Sequence, residues 1–429
     1  MTTSTGIKQS ANIVGGGVAG LLAAIELAKA GVQVMLFESA AELGGRARTK
    51  QADGFSLNQG PHALYITGAF KRELDRLGIP YTGKKANPPE PQGLYRGQLH
   101  RLPTSLSSLA FSSLFTIGEK LAFAGVQKAV IDGATGKESF AVWLDGQDLS
   151  PLVRAAMEAI SRVSSYANAP ALVHAAAMLD QIRRGLKGVI YVDGGWAAIV
   201  AALAKAARDA GADLRTGASV ERVAVEGRQS RVVLADGTEH VADATLLAIG
   251  PREAAKLASS VASLSGYAAD AIPIRANTLD LALEKLPEGA KTFAMGIDQP
   301  FYFSVHTHAA KLAPEGGAVV HIAKYMAVDE APSADAISEL EGFADLAMPG
   351  WRTFERKRQE LRGMVVANAV VRVDKPRPGV ALADAPGLFI AGDWVGEEGM
   401  ISDASAASAV AAVGSISEWL SGESVSRAA

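Results

Sequence analysis

Gly15, Gly17 and Gly20 stand at the spacing G-x-G-x-x-G, directly after the apolar pair Ile13-Val14. Glu38 follows 18 residues beyond the last of them. Each position has a chemistry to perform. Gly15 allows a tight turn, Gly17 lets the backbone approach a pyrophosphate, and Gly20 lets a helix pack closely on the strand before it. A helix starting there points unpaired N–H groups and the positive end of its dipole at the phosphates. Glu38 stands where an acid accepts hydrogen bonds from a ribose. With 44 glycines in the chain, the pattern alone carries little weight. An ordinary glycine-rich turn does not account for the acid, however, and dinucleotide binding does.

Other short stretches could serve the same ligand. Gly44-Gly45-Arg46-Ala47-Arg48 offers a second close backbone approach, with fixed positive charge for a pyrophosphate. Gly60-Pro61-His62 reads as a rigid turn after a short strand, and makes His62 a candidate polar pocket group or acid/base. The backbone at Val220 is placed to read an adenine edge, and Gly250-Pro251 gives another tight approach. Near the end, Gly392-Asp393 closes an apolar strand, and Gly399-Met400-Ile401 leads into an Ala-rich helix. The start of that helix suits a partial negative charge.

The elements that must position these residues follow from pattern. Leu21 to Ala30 reads as a helix closed by Gly31, and Val32 to Phe37 as a second strand. From residue 71 to about 187 the chain changes character. Pro80, Pro88, Pro89 and Pro91 break a loop-rich stretch, and an apolar segment runs from Leu102 to Val130. That segment reads as core helix or pocket lining, and the sharper alternative is a weak peripheral membrane contact through 102–130. Phe140 to Ala177 and Ala197 to Ala210 read as helical, with strands over 214–225, 231–234, 242–249 and 318–325. Lys324 and Tyr325 read as an exposed lysine and a packed tyrosine. The last helix is expected from Asp403 to Leu420.

Bulk properties exclude several classes. A chain of 429 residues suggests two or three domains, and 48% hydrophobic with 20% charged residues suits a soluble globular protein. A net charge of −3 gives no reason to expect a nucleic-acid partner. Without any cysteine there is no disulfide, thiolate metal site or cysteine nucleophile, and no metal site is expected. Met1 to Ser10 has no signal-peptide core and no apolar run is long enough to span a membrane, so a cytoplasmic location is expected. There is no second G-x-G-x-x-G between a strand and a helix, so one dinucleotide is expected and no separate nicotinamide domain.

Taken together, these motifs resemble the superfamily of flavoprotein amine oxidases, phytoene desaturases and protoporphyrinogen oxidases. The resemblance spans nearly the whole chain and rests on Gly15, Gly17, Gly20 and Glu38, on Gly44-Gly45-Arg46, on Gly60-Pro61-His62 and on Gly392-Asp393. It implies FAD as cofactor, with Glu38 on the adenosine ribose, Gly45 and Arg46 along the cofactor, and the Val220 backbone at the adenine. It also implies Asp393 near the ribityl and pyrophosphate groups, and the Met400 and Ile401 amides at the flavin pyrimidine edge, where they would stabilise the anionic reduced flavin. Ala19, Ser39, Gly60, Pro61, His62, Gly250 and Gly399 complete the expected cofactor-binding set. Tyr302 and Trp394 are the candidates for the aromatic pair that flanks substrate in amine oxidases, and with His62 they form the candidate catalytic set. The terminal helix departs from the pattern, reading Ser402-Asp403-Ala404-Ser405 where many relatives carry a Ser-Gly pair.

The expected fold is α/β: a discontinuous Rossmann-like FAD-binding domain (8–75, 188–262 and 365–424) with an inserted α+β substrate-binding domain (76–187 and 263–364). The expected activity is oxidation or desaturation, at C–C or C–N, of a mostly apolar small organic substrate by hydride transfer to flavin N5. Oxygen or a quinone-like acceptor would reoxidise the flavin. Two other readings stay open: a non-redox flavoenzyme such as an isomerase, and a flavin-binding protein without turnover. The residues leave oligomeric state undetermined.

Overall fold

The computed structural model describes residues 9–103, 106–331 and 333–422, the side chains of 106 and 107 excepted. The ends of the expected FAD-binding domain, at 8 and 423–424, and positions 104 and 105 of the apolar segment lie outside the described residues.

Strand β1 (Ser10–Val14), helix α1 (Val18–Lys29) and strand β2 (Gln33–Phe37) form the first unit, close to the bounds expected from pattern. They seed a five-stranded parallel sheet. Its spatial order is Asp213–Arg215, β2, β1, Ala244–Leu247 and Leu388–Ile390, so pieces from three parts of the chain lie side by side. A parallel sheet is covered on both faces, and its inner strands are accordingly mostly apolar, whereas the edge strand Asp213–Arg215 is polar and partly exposed. Leu21, Leu22, Ile25 and Leu27 of α1 are buried, and α1 packs between helices Trp196–Asp209 and Ile401–Ser421. A helix with neighbours on several sides needs no polar face, which is why α1 is apolar nearly all round. A three-stranded antiparallel meander, Val220–Glu226, Gln229–Leu234 and Glu239–Ala242, joins strand Asp213–Arg215 to strand Ala244–Leu247 within the sheet's middle contribution.

The two inserted stretches build one sheet together. Its seven strands run in the order Glu355–Ala367, Ile274–Leu283, Ala318–Tyr325, Phe301–Val305, Phe293–Gly296, Gln92–Tyr95 and Gln98–Arg101. The pair Phe293–Gly296 with Gln92–Tyr95 is parallel and the others are antiparallel, so residues 202 positions apart become neighbours. Strand Glu355–Ala367 runs straight through the expected boundary at 364–365. Val189–Val192 pairs with Leu64–Tyr65 and Gly83–Lys85, in a small sheet that crosses the expected boundaries at 75–76 and 187–188.

Two expectations about helices are corrected. Phe140 to Ala177 is not one helical stretch: Phe140–Asp145, Pro151–Ser165 and Ala175–Lys187 are separate, each opened by its own N-terminal residue (Ser139, Ser150 and His174). The Ser139 and Ser150 side chains accept from backbone N–H groups and so fix where their helices start. In the apolar segment, Thr116 and Glu119 form a reciprocal cap that opens Ile117–Ile131. Phe115, Phe123, Val126 and Val130 are core, whereas Phe111, Ile117 and Leu121 are 91%, 79% and 71% exposed. The segment is therefore core on one face only.

Candidate active site

One cavity of about 690 Å³ runs from the first glycine turn into the seven-stranded sheet. Its walls carry Gly15, Gly17, Ala19, Glu38, Gly44, Gly45, Arg46, Pro61, His62, Gly250, Gly392, Asp393 and Ile401, together with Tyr302. The fold thus gathers most of the candidate residues, drawn from both ends of the chain.

The glycines act differently. Gly15 has φ +106°, and a Cβ there would stand 2.5 Å from the Ala248 carbonyl oxygen. A Cβ on Gly20 would run into the Gly15 carbonyl oxygen, so its role is to let α1 close on the strand. Gly17 differs from both, since nothing of the protein lies within 4 Å of where its Cβ would be. Gly17 and Gly45 face each other, a Cβ on Gly45 standing 3.7 Å from the Gly17 Cα. The open space beside Gly17, at the N-terminus of a 12-residue helix, suits a pyrophosphate.

Glu38 closes this turn as well as facing the cavity. Its Oε2 accepts from the Gly16 N–H at 2.8 Å and its Oε1 from the Ala40 N–H at 2.9 Å. Ser39 adds a 3.3 Å contact to the same carboxylate and does not itself line the cavity.

Arg46 reaches Asp393 with Nη1 at 2.6 Å from Oδ2, and the same nitrogen donates to the Val366 carbonyl at 2.7 Å. Asn368 donates to both carboxylate oxygens, from its backbone N–H at 3.0 Å and from Nδ2 at 2.7 Å. Burial works against the charge of both partners, but mutual attraction outweighs it: the Asp393 pKa is lowered and the Arg46 pKa raised. Asp393 is therefore ionised, and its acceptor capacity is largely committed within the protein. Arg377, which pattern reasoning missed, donates to the Asp393 carbonyl at 3.3 Å and to the Gly399 carbonyl at 3.0 Å. Burial lowers its pKa to about 10, so it remains charged at neutral pH.

Gly20, Gly60, Val220, Gly399 and Met400 sit behind the cavity wall. Gly60, with φ +75°, donates its N–H to Asp280 Oδ2 at 3.1 Å and holds the turn that presents Pro61 and His62. Val220 opens the antiparallel meander, two residues beyond Ala218, whose N–H bonds the Glu38 carbonyl. Met400 is buried at the N-cap of helix Ile401–Ser421, and Gly399 turns with φ +71° against Asp403. Ile401 lines the cavity with φ +55°, an unusual conformation for a β-branched residue.

Trp394 is corrected as a substrate-flanking aromatic. It is 2% exposed, packs in the core with Val14, Phe37 and Ile390, and donates its indole N–H to the Ile249 carbonyl at 2.9 Å. His62 does line the cavity, but both ring nitrogens lie 3.0 Å from backbone carbonyls, of Gly60 and Arg46. Burial lowers its pKa, and the neutral imidazole, with one N–H, donates to one of these carbonyls while its other nitrogen lies against the second. His62 is a positioning residue that ties two cofactor loops together and packs edge-on against Trp196.

Tyr302 stands at the other end of the cavity with partners that pattern reasoning did not name: Tyr65, Tyr166, Tyr191 and His306. One signal was available, because Tyr302 and Ser304 alternate on strand Phe301–Val305 and so share a face, with His306 directly after the strand. The remaining wall there is mostly apolar, with Ile160, Val163, Ile182, Phe293, Met295 and Met364 beside Ser164. Lys324 and Tyr325 lie outside the cavity, the lysine paired with Glu330 and Glu339 and the tyrosine buried. Among the described residues no group of acids and histidines could hold a metal ion.

This geometry has known counterparts. The family model for flavin containing amine oxidoreductases matches residues 18–276. The chain belongs to the flavin containing amine oxidoreductase family. A 4,4'-diapolycopen-4-al dehydrogenase of Metabacillus indicus is 25% identical over 274 residues, 55% of this chain and 54% of the relative. The chain spans about half the length of that relative. Among solved structures, an oxidoreductase from Methanosarcina mazei superposes with a TM-score of 0.74 at 19% identity, over 94% of this chain and 99% of that one. Cyclohexylamine oxidase from Brevibacterium oxydans IH-35A gives 0.70 at 16% identity, over 96% and 99%. At these identities the structures show a shared fold, which is α/β as expected.

The residues present fit the family's FAD. The open space beside Gly17 suits the pyrophosphate, and the Glu38 carboxylate faces the cavity nearby. The cavity wall also holds an indole N–H, Trp196 Nε1, with no hydrogen-bond partner in the protein.

Proposed function

We propose that this protein oxidises or desaturates a mostly apolar small organic molecule, at a C–C or C–N bond. The observation that carries the reading is the continuity of the cavity: the dinucleotide turn and the apolar, aromatic end share one space. Bound FAD supplies hydride acceptance from the substrate, and oxygen or a quinone-like molecule takes the electrons onward.

The chain's own residues would do the rest. Gly15, Gly17 and Gly45 admit the pyrophosphate, and Glu38 receives the ribose hydroxyls. Arg46 supplies positive charge beside it while neutralising Asp393. Ile160, Val163, Phe293, Met295 and Met364 displace water from the substrate end and orient an apolar ligand by shape. Among the described residues the carboxylates on the wall, those of Glu38, Glu253 and Asp393, belong to the cofactor motifs or lie beside them, so no carboxylate at the other end would pair with a cationic amine. That favours a C–C desaturation over amine oxidation.

The test is an anaerobic titration of the flavin-loaded protein with amines, terpenoids and porphyrinogens, followed at the flavin absorbance. Bleaching by an apolar substrate, with a product two hydrogens lighter, is the expected result. A product of unchanged mass would make the protein an isomerase, and a flavin that no candidate bleaches would make it a binding protein without turnover.

A weak membrane contact through 102–130 belongs to the same proposal, because Phe111, Ile117 and Leu121 are exposed together there. The protein would then work at the cytoplasmic surface of a membrane, and would float with vesicles. Its absence from the vesicle fraction would remove this part of the reading.

A further inference from the structure

Two short segments of the cavity wall exchange a pair of hydrogen bonds. Tyr65 Oη donates to the Ser164 carbonyl at 2.6 Å, and Tyr166 Oη donates to the Pro61 carbonyl at 2.7 Å. The partners are 99 and 105 positions apart in the chain, and all four residues line the cavity. Pro61 belongs to the turn that presents His62. Ser164 and Tyr166 stand at the end of helix Pro151–Ser165, which also gives Ile160 and Val163 to the substrate end.

The direction of both bonds is fixed, because a carbonyl oxygen can only accept. Burial raises the pKa of both phenols, so each keeps its hydrogen. The acceptors are carbonyls that their own elements leave open. Ser164 lies in the last turn of its helix, where carbonyls have no intrahelical donor, and takes a second bond from Gln181 Nε2 at 2.8 Å. Pro61 has no N–H of its own, and among the described residues Tyr166 alone donates to its carbonyl.

Tyr166 also holds a backbone conformation that its residue type disfavours. Its φ is +62°, at a helix C-terminus where glycine or asparagine is usual. The other non-glycine residues with positive φ among the described ones are Asp53, Glu90, Arg96 and Asp148, all exposed, and Ile401, which lines the cavity. Local backbone preference does not select a tyrosine at 166, and the bond to Pro61 supplies a reason for one.

We infer that Tyr65 and Tyr166 form a clasp that sets the spacing between the cofactor turn and the helix of the substrate end. His62 follows Pro61, and its Nε2 lies 3.0 Å from the Arg46 carbonyl, so a shift of Pro61 is passed to the loop that carries Arg46. A misplacement of about 1 Å between reacting groups can slow a reaction about a hundredfold, and the clasp holds the two halves against it. Both tyrosines are positioning residues. The inference rests on the proposed function and deepens it, by naming what fixes the substrate wall against the cofactor.

The test is FAD titration of the apoprotein, with visible circular dichroism of the bound flavin, for wild type, Tyr65→Phe, Tyr166→Phe and the double variant. Each substitution keeps the ring and removes the hydroxyl. FAD affinity should fall about fivefold in each single variant, with altered flavin dichroism. The apoprotein melting temperature is read alongside, since a role confined to folding lowers it and leaves the affinity of the folded protein unchanged. The double variant should depart from the product of the two single losses, because both bonds close one gap. Unchanged affinity in either folded variant, or a double loss equal to that product, overturns the clasp. Failure of both single variants to fold makes the hydroxyls structural and overturns it too; if one folds, its affinity decides. A wild type that takes up no FAD overturns the proposed function and the clasp with it, whereas wild-type uptake with unchanged variants overturns the clasp alone.

Discussion

Arg46 and Asp393 are 347 positions apart in the chain and form an ion pair at 2.6 Å. The carboxylate keeps 1% of its surface and the arginine side chain 40%, so the acid depends on the base for its charge. The pair ties the turn after β2 to the end of strand Leu388–Ile390, and so joins the two halves of the cavity wall.

Arg46→Ala should therefore cost about 3 kcal/mol of stability, by leaving Asp393 charged, buried and held only by Asn368. FAD occupancy should fall with it. Thermal unfolding and the flavin released on heating measure the two effects, and normal occupancy would sink the assignment of Arg46 to the cofactor.

Two glycine substitutions should separate folding from binding. Gly20→Ala places a methyl group against the Gly15 carbonyl and should destabilise the protein by about 2 kcal/mol or more. Gly17→Ala meets no protein atom, so the apoprotein should unfold at the wild-type temperature while FAD binding weakens at least tenfold. Equal flavin affinity in Gly17→Ala would place the pyrophosphate elsewhere.

Asp403 gives stability a pH dependence. Its Oδ1 accepts from the Phe70 N–H at 2.9 Å, whereas Oδ2 is buried without a partner. Burial raises its pKa from 3.8 to about 6. The folded state holds this proton more tightly than the unfolded state, so the stabilisation is full below pH 4 and is lost as pH rises through 6. Asp403→Asn keeps the acceptor and removes the charge, and should raise stability by about 2–3 kcal/mol at pH 8 and little at pH 4. Melting temperatures of both proteins across this range check the sign. A constant difference would contradict it.

Tyr302→Phe and Trp394→Phe should differ in kind. Trp394→Phe removes a hydrogen bond to the Ile249 carbonyl in the core and should cost about 1–2 kcal/mol of stability, with substrate KM unchanged. Tyr302→Phe alters the cavity wall and should change KM or kcat with a smaller effect on melting. An altered KM in Trp394→Phe would restore it as a substrate-contacting residue.

What the sequence determined by itself is the cofactor half. Gly15, Gly17, Gly20 and Glu38 lie within one strand–helix–strand unit, and local backbone geometry dictates both their types and their spacing. Gly44 to Arg46, Gly60 to His62 and Gly392 to Asp393 were legible for the same reason, since each is a turn whose conformation demands particular residues. The substrate half was decided by tertiary structure. Tyr191, Tyr302, Ser304 and His306 meet only because a small sheet strand and the seven-stranded sheet close on each other, and an isolated tyrosine or histidine has no local pattern to announce it. Trp394 shows the converse: it sits next to Asp393 in the chain, yet the turn after strand Leu388–Ile390 sends the indole into the core while the carboxylate faces the cavity. Sequence spacing specifies which backbone turns can approach a ligand. Long-range strand pairing specifies which side chains share the cavity, because sheet register alone brings residues so far apart in the chain onto one face.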